Sequence, residues 1–458
     1  MKKTLLGSIA IMMAAGAAAQ TPRVMQITDE ARLFETGGMM GLGISNSGQY
    51  LCGATNNWEG FVYDIPTDKL VVTSPAMGSV GDQTGATQFW AVDDNGFAYG
   101  WDGNGAIKVG VDGSYEVICP IVETEFLPQA VTSDGSIVVG KQTAIGSFNP
   151  TPCYYENGKL TGLDFSTSQE AGFLINHGAE AIGVSADGSI ILGFVGSRSQ
   201  NNPMVYWVRQ ADGSYKYVPA FEGRYEDNRD ESGNLKEGYT TRLPKLFTPA
   251  CISANGKSIV LYIQRVIESG GTAKVGPEEL AIFDVASGEY SVIPYSASNF
   301  LYSDGAAFQV TGIADDGTLA GFVGESLSSI PFIIRPDDYN NALTLTEAYP
   351  GLDLLEEYED FIIEWESLYM VTGISADAKT VTGYIECGVR KPSDISDGIG
   401  GNLTFYVTSA DYSGVEGVTV GESEAPAVYY DLQGRRVANP DRGVYIRLTG
   451  GKAEKIVF

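Results

Sequence analysis

A six-residue phrase recurs seven times along this chain: a small residue, an aliphatic, then Ser, Thr, Asp or Ala, then two small or polar residues, then Gly. The copies are Gly43–Gly48, Ala91–Gly96, Ala130–Gly135, Gly183–Gly188, Cys251–Gly256, Gly312–Gly317 and Gly373–Ala378, the last ending in Ala where the others have Gly. Asp-Gly or Asn-Gly between short β-branched runs is a hairpin signal, because Gly adopts positive φ without steric cost. Behind each copy lies an apolar run, as in Ser136–Gly140, Ser189–Gly193 and Thr380–Gly383. Most copies then carry an aromatic strand: Phe61–Tyr63, Cys153–Tyr155, Val205–Trp207, Ile282–Phe283, Phe332–Ile334 and Phe405–Val407. The second copy, near Trp101, fits this least well. Several add a fourth apolar segment, such as Tyr215–Pro219 or Tyr290–Pro294.

Four strands per unit, seven units and no helical period between them specify an all-β fold, a seven-bladed β-propeller of four-stranded blades. From Gly48 to Ala378 the units average roughly 55 residues, too long for solenoid rungs. The last copy leaves little chain for an outer strand, so Arg32–Glu35 is expected to pair there and close the ring. A propeller also explains how so long a chain buries itself, since small inter-blade cores replace one oversized core.

The remaining sequence is punctuated at both ends. Met1-Lys2-Lys3, an apolar run from Leu5 to about Ala15 and Ala17-Ala18-Ala19 read as a secretory signal peptide over residues 1–19. No later segment is long and apolar enough to span a bilayer. The propeller is assigned to residues 20–410, a polar linker to 411–424 and a small β tail to 425–458. Export to the periplasm, the cell surface or the medium is the expected localisation. The net charge is −28, from 57 acids against 29 Lys and Arg, which excludes a phosphate-binding surface and hence nucleic acid as a partner. Five cysteines without metal-site spacing read chiefly as buried free thiols, with one bridge between adjacent blades left open.

The tail reads Val428-Tyr429-Tyr430-Asp431-Leu432-Gln433-Gly434-Arg435-Arg436-Val437, then Gly443–Leu448, then Lys455–Phe458. It resembles a shortened C-terminal sorting domain of the type IX (Por) secretion system of Bacteroidetes, a resemblance that implies secretion machinery as a partner. The Gly-Ile-Ser-x-Asp-Gly repeats over residues 40–410 resemble the extracellular repeat family known as HAF. That resemblance implies an exported repeat protein and transfers no catalytic residue.

Chemistry is sparse. His177 is the only histidine, so a multi-histidine metal site is excluded and a His-based nucleophile would have to use it. Ser-Ala-Asp-Gly lacks the spacing and the Trp of a sialidase Asp-box. Asn228, Asp230, Ser232 and Gly233 match the start of a calcium loop, but its twelfth position is Tyr239 rather than a bidentate Glu. No cofactor is therefore assigned, calcium being the one alternative left open. Phe126, Phe247, Phe308 and Tyr369 each fall four positions before a repeat and read as core. Trp90, Arg242, Tyr302 and Trp365 fall outside that column and, with His177, are the candidate ligand-binding residues: rings stack on a sugar or peptide while polar groups fix its orientation. The acidic insertion Gly351–Tyr369 has near-helical apolar spacing and is expected to form a short amphipathic helix. The function these features favour is a ligand-binding or protein-interaction scaffold for a glycan or protein; the alternative is a carbohydrate-active hydrolase with its site on the axial face.

Overall fold

Every copy of the repeated phrase ends one strand and turns the chain back into the next. A computed structural model describes residues 38–73, 87–165 apart from 148, 178–195, 204–220, 232, 245–269, 272–293, 307–325, 328–349, 352, 362–390 and 398–409 of the first unit. Of the second it describes 428–430, 436–437, 444–449 and 452–457. The units divide at residues 410 and 411.

The first unit is a β-propeller of seven antiparallel blades whose strands run inner to outer in chain order. Blade I comprises Met39–Ile44, Tyr50–Thr55, Gly60–Asp64 and Lys69–Thr73. The inner strands of blades II to VII are Gln88–Val92, Thr124–Val131, Ala179–Val184, Lys245–Ile252, Ala307–Ile313 and Ile362–Ile374. Six blades are four-stranded; in blade VII the described strands are Ile362–Ile374, Thr380–Arg390 and Gly398–Thr408. Arg32–Glu35 lies outside the described residues, as does the signal-like segment. The ring closes directly between blades VII and I: Thr404 Oγ1 donates to the Met39 carbonyl at 2.7 Å and Thr372 Oγ1 to that of Gly41 at 2.8 Å.

The turn chemistry is satisfied within the phrase itself. In blade IV the Gly188 N–H donates to the Ser185 carbonyl at 2.9 Å, and the Ser185 hydroxyl, fully buried, accepts from the Ile190 N–H at 3.0 Å. That hydroxyl donates to Asp187 Oδ1 at 2.7 Å, and Asp187 accepts the Ser189 N–H at 2.9 Å. Thr132 with Asp134, Ser253 with Asn255 and Ser375 with Asp377 repeat the arrangement. The Ser-x-Asp-Gly signature is thus a closed hydrogen-bond circuit, and these Asp side chains are turn acceptors. Gly supplies the left-handed residue in six copies, while Ala378 takes it at φ 61.

The cores lie between blades. Trp207, fully buried in blade IV, packs with Val139 of blade III and donates its indole N–H to the Asp164 carbonyl at 2.8 Å. Phe247 and Phe308 are buried, the latter stacked on Phe332 at 4.3 Å, and Phe126 is buried between blades II and III. Tyr369 of the same column is half-buried. All five cysteines are free thiols.

Two expectations change. Ile362 to Tyr369 is strand, not helix, extending the inner strand of blade VII with Trp365 opposite Gly388, while the rest of the insertion from Gly351, apart from Leu352, lies outside the described residues. The Ile, Trp and Tyr residues of that strand suit a pleated surface better than a helix, and the long second strand offers backbone partners. The one helix among the described residues is the short turn Leu345–Ala348, capped by Thr344. Trp101 belongs to the second strand of blade II, and the third strand there, Gly105–Gly110, has no aromatic residue.

In the second unit the tail phrase folds into four strands rather than three, ordered Arg436–Val437, Val428–Tyr430, Val444–Thr449, Lys452–Val457.

Candidate functional site

Each inner strand carries, just before its repeated phrase, a residue that its neighbour skips, and blade VII has two further register jumps, from Ile363 to Trp365 and from Glu366 to Tyr369. The register jumps from Gly41 to Gly43, Phe89 to Ala91, Ala181 to Gly183, Pro249 to Cys251, Val310 to Gly312 and Val371 to Gly373. In blade III the skipped residue is Gln129. The seven bulge residues are therefore Leu42, Trp90, Gln129, Ile182, Ala250, Thr311 and Thr372. A bulge adds a residue without a partner and re-aims its side chain. All seven are partly exposed, and all line an axial channel of about 230 Å³.

The second strand accommodates the bulge with glycine. A Cβ added to Gly53, Gly100, Gly140, Gly193, Gly321 or Gly383 would run into the carbonyl oxygen two residues before the bulge, that of Met40, Gln88, Leu127, Glu180, Gln309 or Met370. This close approach is why the apolar run behind each repeat reaches a second Gly. Blade V is the exception, with Leu261 opposite Pro249.

Next along the wall come Ile44, Val92, Val131, Val184, Ile252, Ile313 and Ile374, an aliphatic belt. The channel then meets a hydrogen-bonded ring made by the fourth residue of each phrase. Asp94 N–H donates to Ser133, Ser133 to Ala186, Ala186 to Ala254, Asp315 to Ala376 and Ala376 to Asn46, each through backbone carbonyls at 2.6–3.0 Å. Two links use a carboxylate instead: Ser47 N–H to Asp94 Oδ1 at 2.7 Å and Asn255 N–H to Asp315 Oδ1 at 2.8 Å. Asn46 also reaches past blade II, its Nδ2 donating to Ser133 Oγ at 2.9 Å.

The polar groups of the wall are unevenly distributed. Trp90, Gln129 and Asn46 come from blades I to III, whereas blades IV and V contribute Ile182, Val184, Ala250 and Ile252. Thr311 and Thr372 spend their hydroxyls on the carbonyls of Val371 and Gly41 in neighbouring blades. Cys251 is the one titratable group on the wall among the described residues, and burial pushes its thiol up to about 12, leaving it protonated and inert. Just behind the wall, Asp93 is buried and accepts from the Asn95 and Phe97 N–H groups at 2.9 Å and from Tyr99 Oη at 3.0 Å. Its desolvation outweighs those bonds and raises the carboxyl above the usual range.

Of the candidate residues, Trp90 reaches the channel. Trp365 lies on the extension of Ile362–Ile374, opposite Gly388. His177, Arg242 and Tyr302 lie outside the described residues, as does the calcium-loop match apart from Ser232. No group of His, Cys, Asp and Glu suited to a metal occurs among the described residues. The other bulge residues share no residue type and leave no signal of their own; the second glycine of the repeat, present in every blade but V, is what marks them.

No family model matches the chain, and no curated protein does. Solved structures of low identity do. TolB from Acinetobacter baumannii is 13% identical, aligning 65% of this chain with 64% of its own at a TM-score of 0.37. Oligogalacturonate lyase from Vibrio parahaemolyticus is 12% identical over 85% of this chain and 98% of its own, at 0.47. A puromycin-hydrolyzing peptidase of Mycobacterium tuberculosis is 9% identical over 90% and 58%, at 0.42. This chain therefore spans under two thirds of the TolB and peptidase chains.

Proposed function

We propose that the protein is an exported binding scaffold whose propeller holds an uncharged ligand, a neutral glycan segment or the backbone of an extended peptide, in the axial channel. The observation that carries this reading is the ring of bulges. It brings an indole, two side-chain amides and aliphatic surface together on one uncharged wall. An uncharged wall favours an uncharged ligand, because a buried ion without a counter-charge loses its hydration for nothing. Trp90 offers a face for stacking, and the amides of Gln129 and Asn46 supply donors and acceptors beside it. The segment Met1–Ala19 supports export, and the resemblance of Val428–Phe458 to a sorting domain supports delivery to the cell surface.

Neutral oligosaccharides, their uronic-acid counterparts and uncharged peptides, each mixed with the protein, distinguish the readings by calorimetry and mass spectrometry. The expected result is retention of a neutral ligand, chemically unchanged, with Trp90→Ala weakening it at least about tenfold and leaving the melting temperature within a few degrees. Product formation, a preference for the acidic sugars, or full affinity in Trp90→Ala would each overturn the proposal.

A further inference from the structure

Among the described residues four that are not glycine adopt positive φ: Trp58, Asp68, Asn157 and Ala378. Asp and Asn tolerate that region and Ala378 stands in for a turn glycine, but a bulky aromatic there is an outlier. Trp58 holds φ 63 while its side chain is 59% exposed. The conformation is locked. The Trp58 N–H donates to the Thr55 carbonyl at 3.1 Å, and the Trp58 carbonyl accepts the Thr87 N–H of blade II at 2.8 Å. Backbone strain of this kind is unfavourable for any residue that carries a Cβ. A mostly exposed indole offsets little of it within the fold.

Trp58 has company. It sits between the second and third strands of blade I, at the end of the propeller where inner strands begin, opposite the Ser-x-Asp-Gly turns. Val122, 74% exposed, precedes the inner strand of blade III, and Ile145, 66% exposed, follows its second strand. The Ile145 N–H donates to the Glu123 carbonyl at 3.0 Å, which ties those two loops together. These are the three most exposed large apolar side chains among the described residues, and all lie at one end on blades I to III. The acids Glu59 and Glu123 accompany them, and the described loops at this end of the three blades contain no Lys or Arg.

We infer that this end of blades I to III is a docking surface for a polypeptide segment with alternating cationic and apolar side chains, anchored by the Trp58 indole. Apolar residues of the partner would cover Trp58, Val122 and Ile145, and its cations would meet Glu59 and Glu123. The locked backbone pre-sets the direction in which the Trp58 side chain leaves the turn, so that binding does not have to order the loop. The surface is separate from the channel wall, and Trp90→Ala leaves it intact.

The test uses the full chain with short fluorescent peptides of alternating Lys and Val, Glu and Val, or Lys and Ser, read by anisotropy. The Lys–Val peptide is expected to bind, and the other two to bind at least about tenfold more weakly. Trp58→Gly should weaken the Lys–Val complex at least about tenfold while raising the urea midpoint, since the strain is relieved as the anchor is lost. Trp58→Asn, which also accepts positive φ, gives the same readout independently. Equal binding of the Glu–Val or Lys–Ser peptide, unchanged affinity in both variants, or a lowered midpoint in both would overturn the inference. So would self-association of the wild type that Trp58→Gly abolishes without changing peptide affinity, because a second copy would then be the occupant.

Discussion

Asp93 stands where five other blades place Ser or Thr, and the exchange has a pH-dependent cost. Because its folded pKa is raised by desolvation, its favourable contribution is fully present below the range of an unfolded aspartate, near 3.9. That contribution is lost as pH rises through the folded value. Asp93→Asn keeps an oxygen for the Asn95 and Phe97 N–H groups and removes the charge. The variant's melting temperature should therefore exceed the wild type's by a margin that grows from pH 4 to pH 7. A margin independent of pH would contradict the burial argument. Ala378 is a simpler case: at φ 61 it lies where Gly costs nothing, so Ala378→Gly should add about 1 kcal/mol in urea unfolding with an unchanged m-value. A loss of stability would mean that the methyl group packs usefully.

At the scale of elements, the blade is organised by its bulge and the glycine facing it. Gly193 shows the constraint most sharply, since an added Cβ there meets both the Glu180 carbonyl and the Trp207 ring. Gly193→Ala should destabilise by about 1–3 kcal/mol, measured by denaturation, and should change the channel because Ile182 is displaced with the strand. Leu261 in blade V marks the place where the same exchange already exists, accommodated opposite Pro249. This distinction also explains what was legible beforehand. Ser185, Asp187 and Gly188 announce themselves because a turn needs fixed residue types at fixed offsets. The bulge at Ile182 needs only an extra residue of any type, so nothing at the position itself reveals it. Trp90 stands out as an aromatic immediately before a repeat, but its place on a wall depends on a register jump that periodicity does not encode. Trp58 leaves no mark in the sequence, because φ is not readable from Asn56-Asn57-Trp58-Glu59. The stretch from Ile362 to Tyr369 misled because Leu, Tyr, Ile and Trp at near-helical spacing also fit a strand, and the backbone partner that decides between them lies some twenty residues downstream.

Over the whole molecule, the seven phrases do one thing that no single phrase does: they clasp one another. Five of the seven clasps are amide to carbonyl, and two run through the carboxylates of Asp94 and Asp315. Those two fall between blades I and II and between blades V and VI. Backbone clasps fix the separation of neighbouring strands, whereas a carboxylate on a rotatable side chain tolerates a change of spacing. The circle is therefore divided by its two side-chain links into an arc of four blades and an arc of three, and each of those links can be cut by one substitution, Asp94→Ala or Asp315→Ala, without altering the main chain.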